Sequence, residues 1–334
     1  MKKKNKNIGY IVSLFPCWSE TFILREITEL TKKGYRVYIF SLKKRRQKIV
    51  HEDAKKFEDS VVHPSFIRSL TTILKTFFTQ PLKMITIVWK IFKYNFLSPI
   101  DLAKAIYALP RILSYYYIAR KNDISYIHAH WATVPTTAAW IFHYLGGVKY
   151  SFTAHAHDIW YNNRMLTLKV NNAEFVATIS EYNKQYIYEN FANIDVEKIK
   201  VIHCGVDISN FIFQPVDDFQ KLKIFSVGRF VPKKGFEYLV KACHLLKEKE
   251  VDFQCEIVGD GPEKKKCQRI IKKYGLEKYV HLLDPMPQDL LKNKFRENNL
   301  FVLPAVRTEK GEMDGIPVVL MEAMALGIPV ISTR

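Results

Sequence analysis

Short apolar runs alternate with helical segments along the whole chain. Helical segments such as 235–248 and 263–274 separate the runs. This alternation is typical of βα units arranged around parallel sheets. The predicted strands of a first series are 8–15, 35–42, 124–130, 149–155, 174–180 and 198–205, and those of a second series are 222–228, 253–259, 280–283, 299–305 and 328–333.

The two series meet in a looser stretch at 208–220. The pattern therefore predicts two α/β domains, each built on its own parallel sheet. Such sheets bind ligands at the carboxyl ends of their strands. In both series, the histidines, basic residues and glycines that could bind a ligand lie at these ends.

Composition places the chain among ordinary globular proteins. Of its 334 residues, 48% are hydrophobic and 25% are charged. Five scattered cysteines without a Cys-x-x-Cys pair support neither a disulfide framework nor a zinc site, and they favour a reduced, cytoplasmic setting. No stretch reaches the ~18 uncharged apolar residues that a membrane span requires.

The net charge is +18, and a basic, aromatic segment lies at 65–121. It contains nine basic residues, one acid and eleven aromatic residues, with Lys83, Lys90 and Lys93 interleaved among apolar helix positions. Such helices are typical of segments that lie in an anionic membrane interface. The alternative is a set of packed helices with solvated lysines. Nucleic acid is disfavoured as a partner because the chain has no RNP-like strand, zinc finger or KH-type loop.

A basic loop follows the first strand of the second series. In SVGRFVPKKGFEYLV, Arg229, Lys233 and Lys234 precede the opening of a helix. Fixed positive charge beside the unpaired N–H groups of a helix N-terminus makes an anion site. The spacing matches neither a Walker A loop nor a dinucleotide fingerprint, so we expect a phosphate group held in another way. Solvated basic residues in a loop remain the alternative.

A glycine-rich turn follows the next strand of this series. In EIVGDGPEKKK, Gly259, Asp260 and Gly261 lie between the strand and a helix. Glycine allows a tight turn and the close approach of a ligand. A plain strand-to-helix turn would use the same residues, so both interpretations stay open.

Two acids flank an apolar run near the end of the chain. Asp314 lies in a loop before a helix predicted at 317–326, and Glu322 lies inside that helix. The helix is apolar nearly all round, which predicts that it is buried. A buried glutamate is costly without partners. The pattern indicates a functional carboxylate, with a structural pairing to lysine or backbone as the alternative.

Histidines follow two strands of the first series. In FTAHAHDIW (152–160), His155, His157 and Asp158 lie at a strand's carboxyl end, and HAHW (128–131) repeats the theme. The His-x-His pair could bind a metal ion, but the spacing of residues in the sequence shows no third ligand. An imidazole that donates a hydrogen bond to a polar substrate is favoured, while a structural role stays open for HAHW.

These motifs, in this order, resemble a known family. GRFVPKKG, IVGDGP and DGIPVVLMEAMALGIPVI are similar to the group 1 glycosyltransferases (glycosyltransferase family 4), and SLFPCWSETFILREI, FTAHAHDI and VIHCGVD look like its branch for bacterial exopolysaccharide and capsule. The resemblance covers almost the whole chain. It implies the GT-B fold, with two Rossmann-like domains facing a central cleft. Residues 1–210 would form the acceptor-side domain and 221–334 the nucleotide-sugar-binding domain.

The resemblance also assigns expected roles in binding the donor. Arg229 and Lys234 would hold the diphosphate and stabilise the leaving nucleotide, and Glu322 would accept hydrogen bonds from the ribose. Asp314 would orient the sugar hydroxyls together with Gly315 and Ile316.

Further expected roles concern the base and the transferred sugar. His155 would face that sugar while Asp158 steadies the loop, and Gly259–Gly261 and Met286 would line the base. The family's reaction retains anomeric configuration and uses neither a metal nor a cofactor beyond the nucleotide-diphosphate sugar.

Two departures from the family pattern are visible. The family usually has glutamate at the position of Asp314, and its members continue past ISTR, so the second domain is predicted to be incomplete. The leading hypothesis is a retaining glycosyltransferase that acts on a lipid-linked or polysaccharide acceptor at the cytoplasmic face of the plasma membrane. The alternatives are a truncated, non-catalytic remnant and an epimerase on the same fold.

Overall fold

The computed structural model describes residues 6–17, 20–43, 54, 56–160, 163–213, 221–309 and 312–333. The chain divides into two compact units, Met1–His203 and Cys204–Arg334. Part of the looser stretch expected between the domains, 214–220, lies outside the described residues.

The first unit is built on a seven-stranded parallel sheet with the order β3-β2-β1-β4-β5-β6-β7. The central strands read as nearly continuous apolar runs because helices cover both faces of such a sheet. The first six predicted strands are confirmed; β3, with two residues, is too short to leave a periodic signal. The strands are β1 (Asn7–Leu14), β2 (Arg36–Lys43), β3 (Val61–Val62), β4 (Tyr126–His130), β5 (Lys149–Ala154), β6 (Phe175–Thr178) and β7 (Ile199–Val201).

The helices of this unit begin and end at recognisable residues. Three of them carry proline in the first turn, where its missing N–H costs nothing. One of these three, the helix Val134–Gly146, ends at Gly147, which has the left-handed conformation. The helices are α1 (Thr21–Lys32), α2 (Phe66–Thr79), α3 (Pro81–Asn95), α4 (Pro99–Lys121), α5 (Val134–Gly146), α6 (His157–Trp160), α7 (Leu166–Asn172) and α8 (Glu181–Asn190).

The second unit is built on a five-stranded parallel sheet with the order β10-β9-β8-β11-β12. All five predicted strands are confirmed. The strands are β8 (Leu222–Val227), β9 (Phe253–Val258), β10 (Val280–Leu283), β11 (Leu300–Leu303) and β12 (Val330–Ser332), and the helices are α9 (Phe236–Glu248), α10 (Lys264–Lys273), α11 (Gln288–Arg296) and α12 (Val318–Ala325).

Helix α12 corrects one expectation. Its residues Val318–Met321 are only half-buried, and the Met324 side chain is 53% exposed. The helix packs against β11 and β12 on one side, so an apolar sequence all round does not make it a fully buried helix. Glu322, by contrast, is 6% exposed and lies on the packed side.

Helix α2 is amphipathic with its polar side inward. Ser69, Thr72 and Thr76 are buried, and hydroxyls pair across to α4: the oxygens of Thr72 and Ser114 lie 3.0 Å apart, and the Thr76 hydroxyl lies 3.3 Å from the Tyr117 hydroxyl. The opposite side carries large apolar residues in solvent. These are Ile67, Leu70, Leu74, Phe77 and Phe78, the last 78% exposed.

Helix α3 is apolar on two sides. Met84, Ile87 and Ile91 enter the core, and a second stripe faces outward. The outward stripe consists of Leu82, Ile85, Val88, Trp89 and Phe92. Together with the exposed side of α2 we call it the outer apolar face. Among the described residues, no helix combines the length and hydrophobicity needed to cross a membrane.

Lys90 does not belong to this face, which corrects its expected placement. Its ammonium lies 5.5 Å from the Trp140 ring centroid and 5.4 Å from that of Tyr144. Lys83 donates to the Leu145 carbonyl at 2.8 Å. These two lysines therefore fasten α3 to α5, because cation–π and hydrogen-bond partners on α5 hold their ammonium groups.

Candidate functional site

The basic loop of the second unit surrounds a carboxylate. Lys233 and Lys234 lie in a 3₁₀ turn after β8, and their ammonium nitrogens are 2.9 and 2.5 Å from the two oxygens of Asp314. A backbone bond from the Val306 N–H to the Lys233 carbonyl, 2.9 Å, joins the loop after β11 to this turn. The structure thus brings together Lys234 and Asp314, eighty positions apart in sequence.

The electrostatics of this cluster favour a bound anion. Burial raises the pKa of Asp314, but the charges and hydrogen bonds of Lys234 and Lys233 outweigh it and hold that pKa below its usual range. Arg229, at the carboxyl end of β8, is exposed and has no ion-pair partner among the described residues. Two lysines share one carboxylate, and Arg229 adds a third positive charge to the same loop, so the loop carries excess positive charge that suits an anion such as phosphate.

The glycine-rich turn is packed tightly against the basic loop. Gly259 has φ +152, and a Cβ there would lie 1.9 Å from the Gly228 carbonyl oxygen. At Gly261, also φ +152, the Phe230 carbonyl oxygen would be 2.5 Å away. The Asp260 carbonyl accepts from the Phe230 N–H at 2.9 Å while its side chain is exposed. The glycines are therefore required by loop packing, whether or not a ligand also approaches them.

The other predicted donor residues border the same end of the sheet. Glu322 Oε1 accepts from Gln288 Nε2 at 3.5 Å, a long contact that sequence reasoning did not anticipate. Met286 follows β10 and is half-buried against the core, Gly315 is exposed, and Ile316 is half-buried. All lie after carboxyl ends of β10 or β11, as the fold requires of a ligand site.

In the first unit, His155 lies in an aromatic enclosure at the carboxyl end of β5. Its ring centroid is 4.4 Å from that of Trp131 and 4.8 Å from that of Phe22. Burial lowers the pKa of His155 to about 4, although the Asp158 charge opposes this. The imidazole is therefore neutral at neutral pH. His157 is exposed, so the two histidines of the His-x-His pair do not share an environment.

Asp158 organises the loop that carries His155. Its carboxylate accepts from three backbone N–H groups: His155 at 3.0 Å, Ala156 at 2.9 Å and Ala132 at 2.7 Å. Asn183 Nδ2 donates to the His155 carbonyl at 2.6 Å. These bonds fix the loop after β5 to the loop after β4, because one buried carboxylate bridges both.

Trp131, which follows β4, has a strained backbone. Its φ is +78, in the left-handed region that side chains rarely adopt. Its N–H donates to the Thr153 carbonyl at 3.0 Å, and its carbonyl accepts from the Thr136 hydroxyl at 2.8 Å. The structure therefore holds this indole over His155 at a cost in backbone energy, which is typical of binding sites.

A buried lysine supports the turn beside Trp131. Lys169 Nζ donates to the carbonyls of Ala132 at 2.7 Å and Thr133 at 3.1 Å. Burial lowers the pKa of Lys169 from 10.5 to about 7, although the charges of Asp158 and Asp101 oppose the shift. A buried ammonium is stable only with such partners.

Lys169 makes protein stability depend on pH. Between its folded pKa near 7 and its unfolded pKa near 10.5, the unfolded chain binds the proton and the folded chain does not. Stability therefore rises with pH in this window, by at most about 1.4 kcal/mol per pH unit. Urea unfolding between pH 7 and pH 9 should show the wild type gaining stability relative to Lys169→Met. Parallel pH curves for the two proteins would contradict the assignment.

A chain of polar groups runs from α1 to His155. The Tyr10 hydroxyl donates to Glu26 Oε1 at 2.6 Å, Glu26 Oε2 lies 3.1 Å from His130 Nε2, and His130 Nδ1 lies 3.3 Å from His155 Nε2. Burial would raise the pKa of Glu26, but hydrogen bonds and charges from His130, His128 and Tyr10 lower it to about 2. Glu26 is therefore ionised at neutral pH.

Glu26, His128 and His130 also form a group that could hold a metal ion. Their ligand atoms lie within 4.8 Å of one another. The nitrogens of His128, however, already contact hydroxyls: Nδ1 is 2.8 Å from Ser151 Oγ and Nε2 is 3.0 Å from Thr153 Oγ1. These hydroxyl contacts therefore explain the position of the His128 ring without a metal ion.

Sequence reasoning missed Glu26, Trp131 and Lys169. Their partners are distant in the chain, and no spacing rule connects a helix glutamate to a strand histidine a hundred residues away. A usable signal was present in HAHW, since residues i and i+2 of a strand point to one side and place His128 and His130 together.

Two family models match the chain. Residues 207–334 match glycosyl transferases group 1, and residues 19–210, more than half of the chain, match glycosyltransferase family 4. The chain belongs to glycosyltransferase family 4. The expected resemblance is thereby confirmed.

Curated relatives of this family 4 protein include glycosyltransferases that are named for colanic acid and amylovoran biosynthesis. WcaL of Escherichia coli K12, whose name assigns it to colanic acid biosynthesis, is 42% identical over 138 residues. The amylovoran biosynthesis glycosyltransferase AmsK of Erwinia amylovora is 37% identical over 139 residues. Each match covers 41% of this chain and 34% of the relative, so the matched part spans about a third of the length of these relatives.

Solved structures share the fold over 98% of the chain. The lipopolysaccharide outer core galactosyltransferase WaaB superimposes with a TM-score of 0.61 at 18% identity, covering 80% of that chain. Anabaena Alr3699/HepE in complex with UDP superimposes with a TM-score of 0.68 at 17% identity, also covering 80%. A second HepE structure contains UDP-glucose. These likenesses confirm the α/β GT-B fold.

Proposed function

We propose that this group 1 glycosyltransferase moves a sugar from a nucleotide-diphosphate sugar to a lipid-linked or polysaccharide acceptor in exopolysaccharide or capsule synthesis. We further propose that the transfer retains anomeric configuration and proceeds without a metal. The pairing of Lys233 and Lys234 with Asp314 carries this proposal. With Arg229 in the same loop, the excess positive charge suits a ligand that has several phosphate charges. The sugar nucleotide in the HepE complex supports the choice of donor class.

The proposed chemistry depends on charge stabilisation. As the bond between sugar and diphosphate breaks, negative charge grows on the leaving phosphate oxygens. Lys234 and Arg229 would stabilise that charge from fixed positions, which lowers the barrier. In this structure the Asp314 carboxylate forms ion pairs with both Lys233 and Lys234. Donor phosphates would replace Asp314 as the ion-pair partner of the two lysines. The Asp314 carboxylate would then accept hydrogen bonds from sugar hydroxyls beside Gly315 and Ile316.

Glu322 and the nearby loops would hold the nucleoside. The buried Glu322 carboxylate would accept from the ribose hydroxyls, with Gln288 as its neighbour. Gly259, Asp260, Gly261 and Met286 would border the base. Hydrogen bonds to a charged carboxylate contribute about 1.5–3 kcal/mol each, so Glu322 is a major determinant of donor affinity in this proposal.

The acceptor side of the proposal rests on the first unit. His155 would contact the transferred sugar. Near its neighbour Trp131 lies Glu20, whose Oε2 is buried without a hydrogen-bond partner. Burial raises the pKa of Glu20 to about 7, while Lys43 and the Trp131 hydrogen bond oppose the shift. An unpaired carboxyl oxygen suits an acceptor hydroxyl, because a sugar O–H would satisfy it.

Thermal unfolding with UDP, GDP and ADP tests the donor site. A ligand at 100 times its dissociation constant adds about 2.7 kcal/mol to the free energy of unfolding, which raises the melting temperature measurably. We expect one nucleotide to raise it and the others to have little effect. A cooperative melt that no nucleotide shifts would instead indicate a non-catalytic remnant. Product analysis with the identified donor then separates transfer from epimerisation.

We also propose that the outer apolar face rests on an anionic membrane at the cytoplasmic side. Exposed apolar residues on the consecutive helices α2 and α3 are unfavourable in water. On α2 these residues face outward because the hydroxyl groups of its opposite side are buried against α4. A cavity of ≈ 500 Å³ beside α2 is lined by Lys75, Arg120 and Lys121, and none of these has a carboxylate partner among the described residues. Lipid phosphates complement such charge.

A further inference from the structure

Lys264 joins two loops at the carboxyl edge of the second sheet. It is the first residue of α10, which follows the glycine-rich turn. Its Nζ donates to the Gly259 carbonyl at 3.1 Å, to the Leu283 carbonyl at 3.4 Å and to Asp284 Oδ1 at 2.6 Å. One side chain therefore connects the loop after β9 to the loop after β10.

The aromatic ring of Phe230 brings the basic loop into the same junction. The ammonium nitrogen of Lys264 lies 5.9 Å from the centroid of this ring. The Phe230 N–H donates to the Asp260 carbonyl at 2.9 Å, and the Phe230 carbonyl accepts from the Glu263 N–H at 2.9 Å. Because Phe230 directly follows Arg229, Lys264 lies beside the loop proposed to hold phosphate as well as the two loops proposed to border the base.

The position of Lys264 in its helix is unfavourable without these acceptors. Positive charge near a helix N-terminus opposes the helix dipole. The side chain nevertheless turns inward and is 14% exposed. Glycine gives a turn many accessible backbone conformations, and the carbonyl of Gly259 is one of the groups that the ammonium holds. The lysine therefore restricts a turn that its own glycines would leave free.

The ammonium group of Lys264 has no proton left for a ligand. It carries three N–H bonds, and three oxygen acceptors lie within reach of them. Lys264 thus differs from Lys233 and Lys234, whose shared partner Asp314 a donor phosphate would replace. The effect of Lys264 on a donor is indirect and acts through the positions of the loops.

We propose that Lys264 is a positioning residue that sets the spacing between the loops after β9 and β10 and thereby selects the nucleobase of the donor. These loops contain Gly259, Asp260, Gly261 and Met286, which border the base in the proposed function. Discrimination between bases depends on polar groups held at fixed distances, because a mismatched base leaves such groups unpaired. The inference rests on the proposed function for its ligand, a nucleoside diphosphate, and adds what determines the choice of base.

Calorimetric titration of Lys264→Met with UDP, GDP and ADP tests this role, with displacement titration for the weaker nucleotides. Methionine keeps most of the length of the side chain but offers no donor. We expect the preferred nucleotide to bind about 10-fold more weakly and the other two to change by less than about twofold. Lys234→Ala provides the contrast, since it should weaken all three nucleotides alike because they share the diphosphate.

Two further variants keep the test decisive. Lys265→Met makes the same change at the next, exposed position of α10 and should bind all three nucleotides as the wild type does. Asp284 is 90% exposed, so Asp284→Ala should fold, and the loss of its 2.6 Å contact should reduce selectivity in the same direction.

Two results would overturn the inference. One is unchanged selectivity in folded Lys264→Met, and the other is equal weakening of all three nucleotides, which would indicate a merely structural role. If Lys264→Met does not fold, unchanged selectivity in Asp284→Ala overturns the inference instead. A wild type that binds none of the three nucleotides would refute the proposed function itself, and the inference with it.

Discussion

Replacing Lys234 with alanine is expected to lower the affinity for the matching nucleoside diphosphate by about 10- to 100-fold. The half-buried ammonium would lose a charge-assisted hydrogen bond to phosphate, a loss of about 1.5–3 kcal/mol. Donor turnover should fall further, because the growing charge on the leaving group is stabilised more than the ground state. Titration calorimetry with the nucleotide found by thermal unfolding measures the affinity directly.

Two variants make this experiment specific. Lys241→Ala removes a lysine of α9 that pairs with Glu237 and should leave affinity unchanged. Asp314→Asn frees both lysines, so nucleotide affinity should stay the same or rise while sugar transfer, assayed with a membrane extract as acceptor source, falls. If Lys234→Ala binds nucleotide as tightly as the wild type, the diphosphate is not held by this loop.

Replacing Trp89 and Phe92 together by serine is expected to weaken binding to anionic vesicles by about 10- to 100-fold. Both rings face outward, with Trp89 59% exposed, and they stack with centroids 6.2 Å apart. Each ring that leaves water for the lipid interface contributes about 1.5–3 kcal/mol when fully buried, and less when partly buried. Sedimentation with vesicles that contain phosphatidylglycerol measures the effect.

The control variant changes an aromatic residue of the first unit that lies outside the outer apolar face. Tyr188→Ser changes another exposed aromatic residue, on α8, and should bind vesicles as the wild type does. Neutral vesicles should bind all variants weakly, because the basic residues of 65–121 need anionic lipid. Equal sedimentation of wild type and double variant would refute membrane contact through the outer apolar face.

The regular elements could be predicted because their signals are local. Apolar runs of strand length located eleven of the strands along the chain. The two-residue β3 left no signal. The expectation of a fully buried α12 was wrong because an apolar sequence shows what a helix can bury, whereas neighbouring elements decide what it does bury.

Candidate residues could be located only as far as strand ends. The carboxyl-end rule predicted that Lys234, Asp314 and Glu322 would border one site, and the ion pairs of Asp314 with Lys233 and Lys234 place two of them in contact. The rule could not show that Gly259 and Gly261 are required by neighbouring carbonyls. The glycine contacts depend on the fold of both loops. Similarly, the amphipathic pattern of 65–121 could not show that Lys90 turns toward the Trp140 ring on another helix.

The sequence by itself determined the class of fold, the family and the basic character of the loop after β8, because these depend on local periodicity and on motifs in a fixed order. Only the tertiary structure decided which charges meet. Glu26 reaches His130, Lys169 reaches the turn at Ala132, and α2 faces its apolar residues outward, each through contacts between distant parts of the chain. Side-chain electrostatics falls off over a few ångströms, so it follows proximity in space and not position in sequence.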